Sequence, residues 1–126
     1  MKPGINHIEI WVSDIDKSSK FYKELFSIIG WKELGKSAWS SGTSEIYLRE
    51  EKATSRILSL GVHHICMQAT NKEMVNRVAD WLRENKSKIF NGPQEMTSYS
   101  AGYFTIDFYD PDGFILEVAY TPNMKL

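Results

Sequence analysis

The sequence predicts an α+β protein made of two βαβββ modules in tandem. Two observations predict this. The order strand, helix, three strands can be read twice, with Asn6-His7-Ile8-Glu9-Ile10 matching His63-His64-Ile65-Cys66-Met67 at the head of each copy. An internal repeat of this kind is strong evidence about architecture. Each copy is also too short to bury a core comfortably by itself. A single domain, 1–126, assembled from module 5–50 and module 62–121, is therefore expected.

The elements follow in order. Residues 5–12 alternate as a strand does, with Ile8, Ile10 and Val12 on one face and His7, Glu9 and Trp11 on the other. Ser13-Asp14-Ile15-Asp16 offers N-caps for a helix over 16–28, its stripe formed by Ile15, Phe21, Tyr22, Leu25 and Ile28 or Ile29, and Gly30 fits its stop. Short strands are expected at 31–34, 37–39 and 45–49, with a turn at 40–43. Residues 50–60 carry mixed charge without a period and read as the connection between the halves.

The second half opens with a strand at 62–69. Asn71 caps a helix over 72–85, with Met74, Val75, Val78, Ala79 and Leu82 as its apolar stripe and Trp81 alongside. A short strand at 88–90, a turn at Asn91-Gly92-Pro93 and a longer strand at 103–109 follow. Asp110-Pro111-Asp112-Gly113 is a tight turn: proline presets φ, glycine admits positive φ, and the Asp side chains bond nearby backbone groups. The last strand, 114–121, carries Glu117 in mid-run with Ile115 and Ala119 on its face.

Composition excludes several classes of function. The net charge of -1 gives no electrostatic case for nucleic acid or an anionic membrane. No apolar run approaches the roughly 20 residues of a membrane span, and the N-terminus lacks a signal-peptide core. A single cysteine, Cys66, rules out an intrachain disulfide. A cytoplasmic protein is expected. Four Trp, six Tyr and six Phe supply core, and also the walls of a ligand pocket. Trp11, Trp39, Tyr99 and Tyr103 are the candidates for those walls.

A mid-strand carboxylate among apolar neighbours needs a metal ion, a cationic side chain or water to pair with it. The repeat puts His7 and His64 at equivalent positions, both off the helix-packing face, while the parity of His63 sets it with Ile65 and Met67 on the core side. Two imidazoles and one carboxylate suit a divalent transition ion such as Zn, Ni, Mn or Fe. Three protein ligands leave positions open for water or substrate, as in catalytic metal sites.

Three stretches together are motif-like: His7-Ile8-Glu9-Ile10-Trp11-Val12-Ser13-Asp14 followed by Phe21-Tyr22, Gly61-Val62-His63-His64-Ile65, and Phe108-Tyr109-Asp110-Pro111-Asp112-Gly113 leading to Leu116-Glu117. They resemble the glyoxalase / bleomycin-resistance / extradiol dioxygenase superfamily, also called the vicinal oxygen chelate family, over nearly the whole chain. The resemblance implies paired βαβββ modules forming a cup, with His7, His64 and Glu117 as metal ligands. Many members carry a fourth ligand, Glu or Gln, on the last strand of the first half. Tyr47 stands there in this chain, and Glu45 shares its parity two residues earlier. The implied activity is that of a metal-dependent glyoxalase-like lyase or isomerase, of the lactoylglutathione lyase type, on a small oxygenated substrate. Glu117 would serve as proton carrier if it leaves the metal, with Glu45 or Tyr47 as further candidates. Three-ligand sites resemble those of thiol transferases, which need cationic groups for a phosphonate, and Arg49 is the cation on a cup-facing parity. Ring-cleaving dioxygenases and non-catalytic bleomycin-resistance proteins are the other implied classes, and an interaction domain with a coincidental triad is the remaining one. Chains of this size in the family are commonly homodimers.

Overall fold

The computed structural model describes residues 3–52 and 60–124. The chain divides into two compact units, Met1–Arg56 and Ile57–Leu126, each holding one βαβββ module. Most of the expected connection, 50–60, lies outside the described residues.

In the first unit the elements are β1 (His7–Val12), α1 (Ile15–Ile29), β2 (Lys32–Gly35), β3 (Ala38–Ser40) and β4 (Glu45–Glu50). The sheet order is β1-β4-β3-β2, with β1 parallel to β4 and the other pairs antiparallel. Asp14 caps α1 by accepting from the Lys17 N–H at 3.0 Å. Gly30 closes it in the left-handed region at φ 82° and returns its N–H to the Phe26 carbonyl. The alternation of β1 is as expected, because Ile10 and Val12 are buried while His7, Glu9 and Trp11 are exposed. Tyr22, Leu25, Phe26 and Ile29 of α1 and Ile46 and Leu48 of β4 are buried with them. Each such side chain removed from water contributes about 1.5–3 kcal/mol.

Trp39 departs from its expected place on a pocket wall. It is 1% exposed and packs on Phe26 and Tyr22 of α1, with ring centroids 5.3 and 6.3 Å apart. The register explains this. Trp39 pairs with buried Ile46, whereas Ala38 pairs with exposed Tyr47, so Ala38 and not Trp39 occupies the face away from the helix.

The second unit repeats the plan with β5 (His64–Gln68), α2 (Lys72–Glu84), β6 (Ile89–Glu95), β7 (Phe104–Tyr109) and β8 (Ile115–Tyr120). Its order is β5-β8-β7-β6, with β5 parallel to β8. Asn71 caps α2 by accepting from the Met74 N–H at 2.8 Å. Val75, Val78, Ala79 and Leu82 of α2 are buried, as are Ile106 and Phe108 of β7 and Leu116 and Val118 of β8. The Asp110 carboxylate organises the turn into β8 by accepting from the N–H groups of Asp112 at 2.9 Å and Phe114 at 2.8 Å.

The expected break at Asn91-Gly92-Pro93 is instead interior to β6. Two register irregularities absorb the Gly-Pro pair, whose peptide bond is cis. β6 is an edge strand, where a proline without an N–H is tolerated. Gly92 is required by contact as well as by its φ of 87°, since a Cβ there would lie 2.6 Å from the Thr105 carbonyl oxygen. Among the described residues no helix is long and apolar enough to cross a membrane.

Candidate functional site

The two sheets offer equivalent positions. In the first unit Glu9 on the N-terminal strand pairs with Tyr47 on the last. In the second, Cys66 pairs with Glu117. His7 and His64 each stand two residues before the first member of these pairs. Register therefore puts Tyr47 in the first unit where Glu117 stands in the second.

The second unit holds a cavity of about 400 Å³ whose lining includes His63, His64, Tyr99, Tyr103, Asp107 and Glu117. Glu117 is 5% exposed, and both its carboxylate oxygens have partners. Oε1 accepts from the Tyr103 hydroxyl at 2.8 Å and the Thr105 hydroxyl at 2.7 Å. Oε2 lies 3.0 Å from His64 Nε2. These partners offset the cost of burying the charge. Tyr99 stands edge-on to Tyr103, centroids 5.3 Å apart. Of the four aromatics expected to form the pocket, Tyr99 and Tyr103 thus line the cavity that holds Glu117. Trp11 lies in the other unit, 53% exposed, on the face of His7 and Glu9.

His63 departs from its expected position on the core side. It is exposed and lines the cavity, and its Nδ1 lies 2.8 Å from Nδ1 of His64. β5 begins only at His64, so strand alternation does not govern His63.

Three groups that sequence reasoning passed over border Glu117. Asp107 is its cross-strand partner on β7. Burial first, and then the Glu117 charge, push the Asp107 carboxyl up to about 6, against the opposing pull of His64 and His63. Cys66 is its partner on β5, and desolvation followed by the Glu117 charge pushes its thiol up to about 12. By area Cys66 belongs to the exposed residues, but the sulfur itself faces Tyr103 and Glu117, and that local desolvation governs its acidity. Thr105 is the third. Burial, and then the hydrogen bond to Glu117, raise the Tyr103 phenol far above its ordinary value. The signal was available in parity: Thr105 and Asp107 alternate with Ile106 and Phe108, and Cys66 shares the parity of His64.

In the first unit a shallower cavity of about 490 Å³ is lined by His7, Glu9, Glu45, Tyr47 and Arg49 among others. The Tyr47 hydroxyl donates to Glu45 Oε2, and that bond raises the Tyr47 phenol. His7 meets the Tyr47 ring edge-on at 5.7 Å, and its Nδ1 lies 2.8 Å from Asn6 Oδ1. With the amide oxygen as acceptor, His7 carries its proton on Nδ1 and keeps the lone pair on Nε2. Arg49 is engaged with Glu51 at 3.2 Å and Glu9 at 3.8 Å.

Taken unit by unit, the described residues present no group of three His, Cys, Asp or Glu side chains that would hold a metal ion. The second unit does present a pair. It is His64 Nε2 and Glu117 Oε2, 3.0 Å apart, a separation that an N–H···O hydrogen bond gives in the absence of an ion. An imidazole nitrogen and a carboxylate oxygen also form a donor set that a divalent transition ion accepts.

Two four-stranded sheets of this order, each with one helix, define the glyoxalase-like α+β fold. The chain belongs to the Glyoxalase/Bleomycin resistance protein/Dioxygenase superfamily, which it matches over residues 4–118. It is 31% identical to the metallothiol transferase FosB of Staphylococcus epidermidis, over 97% of this chain and 84% of that protein. It is 26% identical to the uncharacterized protein YqjT of Bacillus subtilis, over 90% of this chain and 96% of the other. Among solved structures it superposes on a glyoxalase/dioxygenase from Nostoc punctiforme with a TM-score of 0.75 at 22% identity, covering 95% and 92% of the two chains. A glyoxalase/bleomycin resistance protein from Albidiferax ferrireducens gives 0.76 at 17%, covering 93% and 98%. The superfamily includes metal-dependent enzymes, the metallothiol transferases among them.

Proposed function

We propose that this chain is a metal-dependent enzyme of the glyoxalase-like lyase or isomerase type, acting on a small oxygenated substrate. The observation that carries the reading is the approach of His64 Nε2 to Glu117 Oε2, 3.0 Å apart at a cavity wall. His64 and Glu117 would hold a divalent ion of the Zn, Ni, Mn or Fe group. His7, the repeat equivalent of His64 with its lone pair on Nε2, is the third proposed ligand. Tyr47, the register equivalent of Glu117, is the fourth-ligand candidate. When bound, such an ion supplies Lewis acidity toward adjacent substrate oxygens.

The chain's own residues divide the remaining work. Tyr103 and Thr105 fix Glu117 Oε1 and so aim Oε2. Glu117 would carry the proton only when it does not hold the ion, and Glu45, already accepting from Tyr47, is the second candidate. Tyr99 and Tyr103 shape the cavity around the substrate, and Trp11 remains a proposed pocket residue on the His7 face of β1. The reading takes residues 1–126 as one functional domain, cytoplasmic and homodimeric.

The 31% identity to a metallothiol transferase supports a second reading, thiol transfer, in which Arg49 would supply the cation for an anionic substrate. The test begins with metal content after loading with Zn, Ni, Mn and Fe, beside His7→Ala, His64→Ala and Glu117→Ala. About one ion per chain, lost in the variants, is the expected result. A substrate screen with hemithioacetals against a thiol plus phosphonate pair then separates the two readings. Uptake by the wild type no better than by the variants would sink both.

A further inference from the structure

We propose that His63 is the positioning residue for His64, an acceptor that holds the imidazole in the tautomer a metal ion requires. The inference rests on the metal reading above and concerns only the second unit.

The hydrogen bonds around His64 can be assigned from chemistry. Glu117 Oε2 is a carboxylate oxygen and only accepts. With both rings neutral and no ion present, His64 Nε2, 3.0 Å away, carries the proton and donates it. His64 Nδ1 is then the acceptor, and His63 Nδ1, 2.8 Å from it, is the donor. The rings stand 87° apart with centroids 5.1 Å from each other, and the 2.8 Å approach of the two Nδ1 atoms sets nitrogen against nitrogen.

Ligation at Nε2 inverts this bond. An ion there needs the lone pair, so the His64 proton moves to Nδ1. Nδ1–H must then donate, and the facing His63 Nδ1 must accept, which puts the His63 proton on its Nε2. Metal-bound histidines commonly donate their second N–H to such a partner, which fixes the ring's tautomer and orientation. In this chain another imidazole fills that place, and it suits both states because it donates or accepts by changing tautomer. A carboxylate or a backbone carbonyl only accepts.

The test compares wild type, His63→Phe and His63→Gln. Phe keeps a flat ring without an acceptor, and Gln restores an acceptor oxygen. Zn²⁺ affinity is read by competition with a chromophoric chelator. The side-chain ¹⁵N spectrum of the histidines is read at about pH 8, where ordinary imidazoles are neutral. Expected results are a fall in Zn²⁺ affinity of about 10–100-fold in His63→Phe, recovery of most of it in His63→Gln, and a move of the wild-type His63 proton from Nδ1 to Nε2 on loading. Equal affinity in wild type and His63→Phe, or a His63 proton that stays on Nδ1 with Zn²⁺ bound, overturns the proposal and leaves the metal reading standing. A wild type that takes up no Zn²⁺ overturns both, and is told apart by failing before any variant is compared.

Discussion

Thr105 Oγ1 lies 2.7 Å from Glu117 Oε1, reaching it from the neighbouring strand, and both residues are buried. The contact lets a carboxylate occupy the middle of β8 without leaving an unpaired acceptor. Thr105→Val keeps the side chain's shape and removes that donor. A loss of about 1–3 kcal/mol in chemical denaturation is expected, since a bond to a charged group goes and Tyr103 alone remains on Oε1. Tyr103→Phe should cost a similar amount, and the double variant more than either. Unchanged denaturation midpoints in all three would show that Glu117 does not depend on these hydroxyls.

Asp107 sets a pH dependence of known sign in the metal-free protein. Its carboxyl has an ordinary value of 3.8 and is pushed up to about 6 in the fold. The folded state therefore holds this proton more tightly than the unfolded chain, and stability falls as pH rises between those values. Asp107→Asn should remove that part of the slope and stabilise the protein at pH 7 by roughly 1 kcal/mol, a figure discounted for the solvent screening of a half-buried group. Parallel stability–pH curves for wild type and variant would contradict this. In Glu117→Gln the Asp107 titration, followed by ¹³C NMR, should move downward, because a charge that opposes its ionisation is gone.

Cys66 should be a slow nucleophile. With its thiol pushed up to about 12, little thiolate exists at pH 8, and thiolate is the reactive form. Iodoacetamide should modify the native protein far more slowly than the urea-unfolded chain, and Glu117→Gln should speed the native reaction. Equal native and unfolded rates would contradict the desolvated setting of the sulfur.

Trp39→Ala should behave as a core truncation, losing about 3–5 kcal/mol. At temperatures where the variant stays folded, its metal and ligand affinities should match those of wild type. A selective loss of ligand binding with little change in stability would return Trp39 to the pocket.

Much of the fold was legible because strands and helices bury opposite faces. The alternation of residues 5–12, the cap at Asp14 and the glycine stop at Gly30 are local signals, and the structure keeps all three. Trp39 was not legible from its own segment. A three-residue strand has too little alternation to show a face, and only pairing with β4 settles it. The expected strand at 88–90 caught only the start of β6, because Gly92-Pro93 carries turn chemistry, which an edge strand absorbs through irregular register. His64 and Glu117 could be singled out as polar residues at repeated or mid-strand positions. Parity marks Thr105, Asp107 and Cys66 as off the core face, but only pairing of the strands shows that they border Glu117. His63 was misplaced by extending alternation one residue beyond the start of β5.

The close approach at Gly92 has a practical consequence for redesign. The main chain of β6 lies against the Thr105 carbonyl with no room for even a methyl group. The same Thr105 presents its hydroxyl to Glu117. An engineer seeking a new ligand preference therefore has no slack in this backbone to exploit. What is open to variation is the pair of amides that β6 contributes to the cavity, Asn91 and Gln94. A small library at those two positions, with Gly92 held fixed, would explore new recognition while leaving the carboxylate's support in place.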